Sequence, residues 1–359
     1  MKKRVVVGMS GGVDSSVAAA LLKEKGFEVI GVTMCFNLAE TARKKISCCS
    51  RQSIEDARRV AHKLGIRHYV VNMRKALEER VIKNFCREYS LGRTPNPCVV
   101  CNQYLKFGEL LSRAKVLGAQ FLATGHYAGI VKTLSGFLLR KAKDSKKDQS
   151  YFLYRLNQNQ LKHIIFPLGN YTKEAVRGLA RKFELPVAEK KASQEICFLA
   201  GDDYRDFLRG RISEEAFPGP VIDAQGNIVG RHKGIAYYTT GQREGLGVAK
   251  GYPVYITRID PKANSIYIGS RQEASAAVFL AKDWHFAARP PAKKKIALKV
   301  KIRYNHREAK ADLLLIGNKP KIIFKKPQFA VTPGQSAVFY DKGRVIGGAI
   351  IDKVIDQDG

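Results

Sequence analysis

The sequence of 359 residues lacks a long apolar run. No stretch approaches the roughly 18 consecutive uncharged apolar residues of a transmembrane helix. The opening residues, MKKRVVVGMSGG, also lack the apolar segment of a cleavable leader. We therefore expect a soluble, cytosolic (cytoplasmic) protein without a membrane partner. The length favours two or three domains over one small core.

Acidic residues are scarce. The chain has 32 Asp and Glu against 63 Lys and Arg, a formal net charge of +31. Basic residues cluster at 141–147, 181–191, 291–303 and 318–326. A phosphate-rich polymer is the natural partner of such a surface, because each neutralised phosphate releases condensed counterions. The alternative is a generic solvated surface that reflects only a basic composition.

Structural disulfides are not expected, because the seven cysteines are odd in number and no leader is evident. Two of them, Cys98 and Cys101, form a C-x-x-C in the stretch TPNPCVVCN. This spacing serves metal ligation, thiol exchange or a sulfur-handling site equally well. Zinc is the weakest of these choices, since no second C-x-x-C or histidine pair stands at ligand spacing.

The first 130 residues alternate short β-branched runs with helical patterns. The strand-like runs are RVVVG, EVIGVTM, RHYVVN and FLATGHY. Such alternation predicts an α/β fold with a doubly wound parallel sheet, whose ligands bind beyond the carboxyl ends of the strands. Further along, Thr172 is a plausible N-cap with Glu174 in the first helical turn.

The second half of the chain has a different texture. Turns rich in Gly, Pro and Asn separate strand-like runs after about residue 210, and five alternating runs follow residue 273. In IALKVKIRY, period-2 geometry gives one apolar and one basic face. The apolar face holds Leu298, Val300, Ile302 and Tyr304, and the basic face Lys299, Lys301 and Arg303. We predict an α/β domain at 1–207, a small central domain at 208–272 and an antiparallel β-barrel with a basic outer face at 273–359.

The segment GMSGGVDSSVAA, residues 8–19, follows an apolar strand and opens a helix. Gly11 and Gly12 let backbone N–H groups approach an anion, while Ser10 and Ser15 add hydroxyl donors at the positive end of the helix. The segment is not a Walker A loop, because the lysine of that motif is missing. The pattern favours a phosphate cradle over a tight turn without a ligand.

SGGVDS after a first strand resembles the signature of the N-type ATP pyrophosphatases, which have an adenine nucleotide α-hydrolase-like fold and cleave ATP between its α and β phosphates. The resemblance implies ATP as cofactor, with Mg²⁺, and makes Asp14 a candidate for handling Mg²⁺ or pyrophosphate. The implied ATP contacts are Gly8, Met9, Ser10, Gly11, Gly12, Val13, Asp14, Ser15, Met34 and Gly125.

Further motifs narrow the resemblance: GRTPNPCVVCNQYLKFG, ATGHYA, KDQSYFLYRL, SQEICFL, TTGQREGLG and TPGQSAVFY. In this order, and over nearly the whole chain, they resemble the bacterial tRNA-specific 2-thiouridylases, the MnmA family. The resemblance implies adenylation of the C2 oxygen of the wobble uridine in the tRNA anticodon. Cys197 would carry a persulfide, supplied by a sulfur donor or relay protein. Cys101 would be the nucleophile that attacks this persulfide and closes a Cys101–Cys197 disulfide.

The chain departs from the family pattern at Cys98, where many members carry an aspartate proposed to act as acid or base. A cysteine at this position can still donate or accept a proton, but less readily at neutral pH than an aspartate does. Alternatively, Cys98, Cys101 and Cys197 hold a [4Fe–4S] cluster by three corners. Two alternative functions remain open for the protein: a ligase that adenylates a small molecule, and a nonenzymatic RNA-binding protein with a degenerate loop.

The resemblance also implies that the β-barrel at 273–359 binds tRNA, and it implies individual residues that contact tRNA. Amide side chains suit base edges, and arginine suits phosphate. A histidine in TGHY could instead be satisfied by backbone at a strand end. The implied contacts are Asn96, Pro97, Cys98, His126, Lys147, Asp148, Gln149, Arg303, Tyr304 and Gln335.

The remaining four cysteines lie outside these motifs. Cys35 and Cys86 fall within apolar patterns and are expected in the core. Cys48 and Cys49 form an adjacent pair, which favours thiols of a loop or a helix start over metal ligands.

Overall fold

The structure is a computed structural model. It describes residues 2–36, 51–134, 136–191, 196–199, 203–212, 216–248, 250–288, 294–316 and 319–355. The chain forms two compact units, each built from several segments. The first unit comprises Met1–Val81, Cys98–Asp202 and Lys342–Ile346; the second comprises Ile82–Pro97, Asp203–Asp341 and Gly347–Gly359.

A parallel sheet forms the centre of the first unit. Its strand order is β3-β2-β1-β4-β7, and every neighbouring pair is parallel. The strands are β1 (Arg4–Gly8), β2 (Glu28–Cys35), β3 (Arg67–Asn72), β4 (Phe121–Thr124) and β7 (Ile164–Ile165). An antiparallel hairpin of β5 (Gly129–Thr133) and β6 (Gly136–Arg140) adds to this unit. The predicted α/β fold is confirmed.

Helices cover this sheet because its central strand is apolar on both sides. Val5 and Val7 belong to one apolar cluster with Val17 of α1 and Val176 of α8, whereas Val6, also fully buried, points to the opposite face. The helices are α1 (Val13–Glu24), α2 (Arg51–Lys63), α3 (Arg74–Leu77), α5 (Pro97–Cys101), α6 (Leu110–Val116), α7 (Gln158–Leu161) and α8 (Lys173–Lys182), with α4 (Lys83–Ser90) in the second unit. Helix α8 begins as predicted, since the Thr172 hydroxyl accepts a hydrogen bond from the Ala175 N–H at 3.2 Å.

Two helical stretches contain wider, π-helical turns that the sequence pattern did not predict. One spans Glu78–Ile82 and the other Asn102–Glu109, directly after the C-x-x-C of α5. A π-helical turn adds a residue to the helical repeat and thereby redirects the side chains that follow it. Such turns recur at functional sites, so the stretch after Cys101 is of particular interest.

The second unit contains a small sheet of order β10-β11-β8-β9. Its strands are β8 (Gly219–Ile222), β9 (Ile228–His232), β10 (Tyr255–Asp260) and β11 (Ser265–Gly269). Ile256 and Ile266 are fully buried at its core. Helix α4 meets α9 (Tyr204–Arg209) through stacked Tyr89 and Tyr204 rings, whose centroids lie 4.9 Å apart.

A closed antiparallel barrel completes the second unit. In the described chain it has six strands, one more than the five runs counted in the sequence, and the β12–β17 pairing closes the order β12-β15-β14-β13-β16-β17. Only two residues separate β16 from β17, so the alternation of apolar and polar residues continues almost without interruption from one strand to the next. The strands are β12 (Ser275–Phe286), β13 (Lys295–Lys301), β14 (Ala309–Ile316), β15 (Lys319–Phe329), β16 (Ser336–Asp341) and β17 (Arg344–Ile355).

The period-2 prediction for β13 is confirmed over the strand itself. Leu298 and Val300 are buried, Lys299 is exposed, and Ile302 just beyond the strand is fully buried. Arg303 lies past the end of the strand, where its side chain is held by other residues of this unit.

The four cysteines outside the motifs differ in what the structure shows of them. Cys35 and Cys86 are half-buried instead of fully inside the core, because one ends a strand and the other lies on the partly exposed helix α4. Cys48 and Cys49 lie outside the described residues. Within the described ranges, every helix is too short or too polar to cross a membrane.

Candidate active site

The predicted phosphate loop connects β1 to α1 at the carboxyl end of the parallel sheet. Gly11 has a φ of 67°, a left-handed conformation that favours glycine. Gly12 is extended and caps α1 without a side-chain hydrogen bond, so the first backbone N–H groups of the helix have no capping side chain. These groups, together with the helix dipole, form an anion-binding arrangement.

Two glycines are required here by close approach of the backbone. A Cβ atom on Gly11 would lie 2.1 Å from the Ser53 carbonyl oxygen. On Gly125, which follows β4, a Cβ would lie 2.6 Å from the Ser15 backbone nitrogen. Any side chain at either position would therefore displace the loop or the start of α1.

Serine hydroxyls fix the curvature of the loop. The Ser15 hydroxyl accepts a hydrogen bond from the Ser10 N–H and donates one to the Gly12 carbonyl, both at 3.2 Å. The Ser10 hydroxyl is 3.4 Å from that of Ser15 and belongs to an exposed residue. The Ser10 hydroxyl is thus on an exposed residue of the loop, while Ser15 shapes the loop from within.

Asp14, in the first turn of α1, is held by two residues that sequence reasoning missed. The Lys173 ammonium lies 2.6 Å from its carboxylate, and the Tyr127 hydroxyl donates a hydrogen bond to it at 2.8 Å. Burial and the negative charge of Asp14 raise the pKa of Tyr127 well above its ordinary value, so this phenol remains a donor. No sequence motif links positions 14, 127 and 173.

A second lysine lies on the other side of the loop. Lys190 donates a hydrogen bond to the Gly11 carbonyl at 3.0 Å and forms an ion pair with Asp56 at 2.6 Å. Burial would raise the pKa of Asp56, which is 3% exposed, but hydrogen bonds from Lys190, Gln52 and Arg59 outweigh this and lower it. Two lysines distant in sequence therefore flank a loop that lacks the Walker lysine.

The C-x-x-C cysteines lie on α5 in the same unit. Cys101 is 7% exposed and Cys98 is half-buried by its neighbours. Burial raises the pKa of Cys98 to about 11 and also raises that of Cys101, while the nearby positive charge of Lys106 opposes both shifts. Both thiols are therefore protonated at neutral pH.

Cys197 lies close enough to the C-x-x-C for their charges to interact. A thiolate at Cys197 raises the pKa of both Cys98 and Cys101. Yet within the described residues, no three His, Cys, Asp or Glu side chains are gathered so that they could hold a metal ion. The predicted alternative, a [4Fe–4S] cluster on Cys98, Cys101 and Cys197, is not favoured, because the thiols do not form a ligand set.

His126 also lies in this region. Its Nδ1 is 2.7 Å from the Thr124 hydroxyl, and its ring packs against Phe107 and Phe166. Burial, and secondarily the charge of Lys106, lower its pKa well below the ordinary value, so the imidazole is neutral. The histidine therefore offers hydrogen bonds without a charge.

Three predicted tRNA contacts follow β6 in the first unit. Asp148 is buried and accepts hydrogen bonds from the Ala142 N–H and the Ser150 hydroxyl. Gln149 accepts one from the Tyr127 N–H at 2.9 Å, and Lys147 is half-buried beside them. Asp148 and Gln149 thus hold the turn that positions Tyr127, and their contact with tRNA stays a prediction.

The predicted contacts of the second unit also make internal bonds. Gln335 donates to the Thr94 and Pro95 carbonyls at 3.1 and 3.2 Å, which anchors the segment before Asn96 and Pro97. Arg303 donates to the Thr240 carbonyl at 2.7 Å. Tyr304 lies beside Lys301, whose ammonium is 5.3 Å from the ring centre. In the first unit, Met34 is half-buried in β2, paired in register with Val71 of β3.

Comparison with known proteins covers nearly the whole chain. Residues 3–201 match a family model described as tRNA methyl transferase HUP domain, residues 205–270 the tRNA methyl transferase PRC-barrel domain, and residues 276–351 the aminomethyltransferase beta-barrel domain. A tRNA-specific 2-thiouridylase MnmA 1 of Caldanaerobacter subterraneus is 48% identical over 99% of both chains. A tRNA-specific 2-thiouridylase MnmA of Halothermothrix orenii is 49% identical over 97% of this chain and 98% of that protein.

Proposed function

The chain belongs to the tRNA-specific 2-thiouridylase family, and from this premise we propose that it is an ATP-dependent tRNA sulfurtransferase that converts the wobble uridine to 2-thiouridine. One observation carries the proposal. An anion-binding loop and three interacting cysteines occur within the same compact unit of a chain that matches the family over its full length.

The first step is activation of the uridine C2 oxygen. This oxygen attacks the α-phosphorus of ATP, the bond to the β-phosphate oxygen breaks, and pyrophosphate leaves. The N–H groups at the start of α1 bind the phosphates, and Lys173 and Lys190 provide positive charge near the departing pyrophosphate. The result is an adenylated oxygen, a far better leaving group than the original carbonyl oxygen.

Magnesium would accompany ATP in this step. The loop itself offers one carboxylate, Asp14, which is already bonded to Lys173. One carboxylate cannot supply all the oxygen ligands that Mg²⁺ requires. The ion would therefore be held chiefly by phosphate oxygens, with at most this one protein ligand.

The second step transfers sulfur. Cys197 carries a persulfide from a donor protein. The Cys101 thiolate attacks the Cys197 sulfur, a Cys101–Cys197 disulfide forms, and hydrosulfide is released. Hydrosulfide then attacks C2 and AMP leaves with the former carbonyl oxygen. An external thiol must reduce the disulfide before the next turnover.

The pKa is raised at both C-x-x-C thiols, so the family pattern, and not the pKa, is what separates their proposed tasks. Cys101 must lose a proton before it attacks, and Lys106 is the neighbouring cation that favours its thiolate. Cys98, with a pKa of about 11, holds its proton at neutral pH. It therefore suits the role of a proton donor better than that of a base, unlike an aspartate at this position.

The decisive experiment is mass analysis of nucleosides from unmodified tRNA incubated with iron-free protein, Mg·ATP and a persulfide donor. We expect one sulfur to replace one oxygen at a uridine, and this product to disappear when ATP is omitted. Pyrophosphate release that does not depend on RNA, without a thiolated nucleoside, would contradict the proposal and indicate a small-molecule ligase.

A further inference from the structure

A cavity of about 750 Å³ opens beside the first-unit sheet, away from the phosphate loop. One wall is the end of β3 at Asn72 and the segment that follows it, including Arg74, and another wall comes from the π-helical turn that follows Cys101. Its volume falls within the range of sites that hold a small molecule or one nucleotide. Tyr104 lies within the motif GRTPNPCVVCNQYLKFG but has no role assigned by it, and the wall that follows β3 lies outside the motifs.

The cavity contains an exposed aromatic platform. Tyr104 is 43% exposed, although it is a large ring on a well-formed helical turn. The Arg80 guanidinium lies 5.6 Å from the centre of this ring. An exposed tyrosine beside an arginine is the arrangement on which unpaired bases stack in single-stranded nucleic-acid sites.

The charge of the cavity favours a phosphate. Its walls carry four basic side chains and two carboxylates. Lys75 pairs with Glu79 at 4.0 Å and Arg113 with Glu109 at 2.9 Å. Arg74 and Arg80 form no ion pair with any carboxylate in the described part of the chain, so their charges are available to a ligand.

The position of the cavity separates it from the ATP loop and brings it near the thiols. Strand β2 lies between β3 and β1, which places the end of β3 roughly 10 Å from the end of the strand that carries the loop. Tyr104, by contrast, follows Cys101 by three residues, about 4–5 Å along a helix axis. A nucleotide bound at Tyr104 would therefore be a close neighbour of a uridine that reacts near Cys101.

We propose that this cavity binds one unpaired nucleotide of the tRNA anticodon loop adjacent to the target uridine. Its base stacks on Tyr104, and Arg74 and Arg80 neutralise its phosphate. This inference rests on the proposed tRNA function and adds a second RNA subsite to it. A stacked neighbour would hold the loop open while the target base is extruded toward the thiols.

The test uses the full-length protein and an anticodon stem-loop RNA with 2-aminopurine beside the wobble uridine. With the unchanged protein, we expect stacking to quench the fluorescence. Tyr104→Ala should abolish the quenching and weaken RNA binding about 10-fold, whereas Tyr104→Phe should retain both. Arg80→Ala should lower the slope of log affinity against log salt by about 1.

Tyr69 supplies the matched control, since it is a 42% exposed tyrosine of the same unit that does not line the cavity. Tyr69→Ala should leave quenching and affinity unchanged; an equal loss in both alanine variants would overturn the inference. Weaker ATP binding by Tyr104→Ala in the absence of RNA would also overturn it, because the cavity would then hold the base of ATP. If the unchanged protein binds no RNA, the proposed tRNA function is wrong, and the inference about the cavity is wrong with it.

Discussion

The phosphate loop and the thiol pair lie in the same unit, yet they are prepared for chemistry to different degrees. The loop has its glycine conformations, hydroxyl contacts and flanking lysines in place. Cys101 is buried and Cys98 half-buried, and both have raised pKa values that disfavour the reactive thiolate. In the proposed reaction the phosphate loop is therefore preorganised for its ligand, whereas the thiols must first lose a proton.

This difference has a chemical logic. Adenylation produces a reactive ester that water would destroy, so a thiol nucleophile is best kept inactive until the activated uridine is present. Protonated, buried thiols are also protected from oxidation, which proceeds through the thiolate.

The largest effect is expected for substitution of Cys197, which should remove the thiol chemistry and leave the phosphate loop unaffected. Cys197→Ser removes the sulfur that carries the persulfide, so thiolation should fall at least about 1,000-fold. Affinity for tRNA should stay within about 10-fold, because phosphate contacts dominate RNA binding. Mass analysis of nucleosides and a filter-binding titration measure the two quantities. A large loss of tRNA affinity would contradict the assigned role.

The next effect concerns the preorganisation of the loop. Gly11→Ala places a Cβ atom 2.1 Å from the Ser53 carbonyl oxygen, so ATP affinity should fall about 100-fold or more. Gly26→Ala is the control, since Gly26 also has a positive φ but has no atom within 4 Å of its Cβ position. Calorimetric titration with ATP should show little change for the control. Equal losses in both variants would show that backbone strain, and not close approach, is responsible.

The third prediction tests the inactive state of the thiols through pH. Because burial raises the pKa of Cys98 to about 11, its alkylation by iodoacetamide should accelerate about tenfold per pH unit and continue to rise beyond pH 9. In the unfolded chain the same reaction should level off above about pH 8.5. Peptide mass analysis of alkylated Cys98 gives both rates, and a plateau near pH 8.5 in the folded protein would exclude a raised pKa.

The raised pKa of the thiols also makes the free energy of unfolding fall as the pH rises. The unfolded chain releases these thiol protons near pH 8.5, whereas the folded protein retains them to about pH 11 at Cys98. Their contribution to the free energy of unfolding is therefore complete below about pH 8.5 and declines as pH rises toward 11. Cys98→Ser should flatten this decline in a thermal unfolding series.

The smallest effect is expected at Lys106, the cation that opposes the raised pKa of both thiols. Lys106→Gln should slow alkylation of Cys98 at pH 9 by roughly 3-fold, because the thiolate loses a favourable charge. ATP affinity should be unchanged, since the phosphate loop has its own lysines. Unchanged alkylation rates would show that the charge of Lys106 is screened by solvent.

Local patterns were sufficient to predict much of the fold. The runs RVVVG, EVIGVTM, RHYVVN and FLAT each form a predicted strand, and the capping residue of α8 is the predicted Thr172. These predictions succeed because side-chain periodicity and N-cap chemistry act over a few neighbouring residues. The π-helical turn after Cys101 was not predicted, since its sequence still has an ordinary helical pattern.

The sequence by itself determined the parallel sheet, the glycine loop and the family resemblance. Each of these depends on the pattern of neighbouring residues or on motifs that are contiguous in the sequence. Only the tertiary structure decided which distant side chains meet: Lys173 and Tyr127 at Asp14, and Lys190 at Gly11. It also decided that Cys101 is buried. Burial and charge are properties of a three-dimensional neighbourhood, so reactivity could not be predicted from the order of residues along the chain.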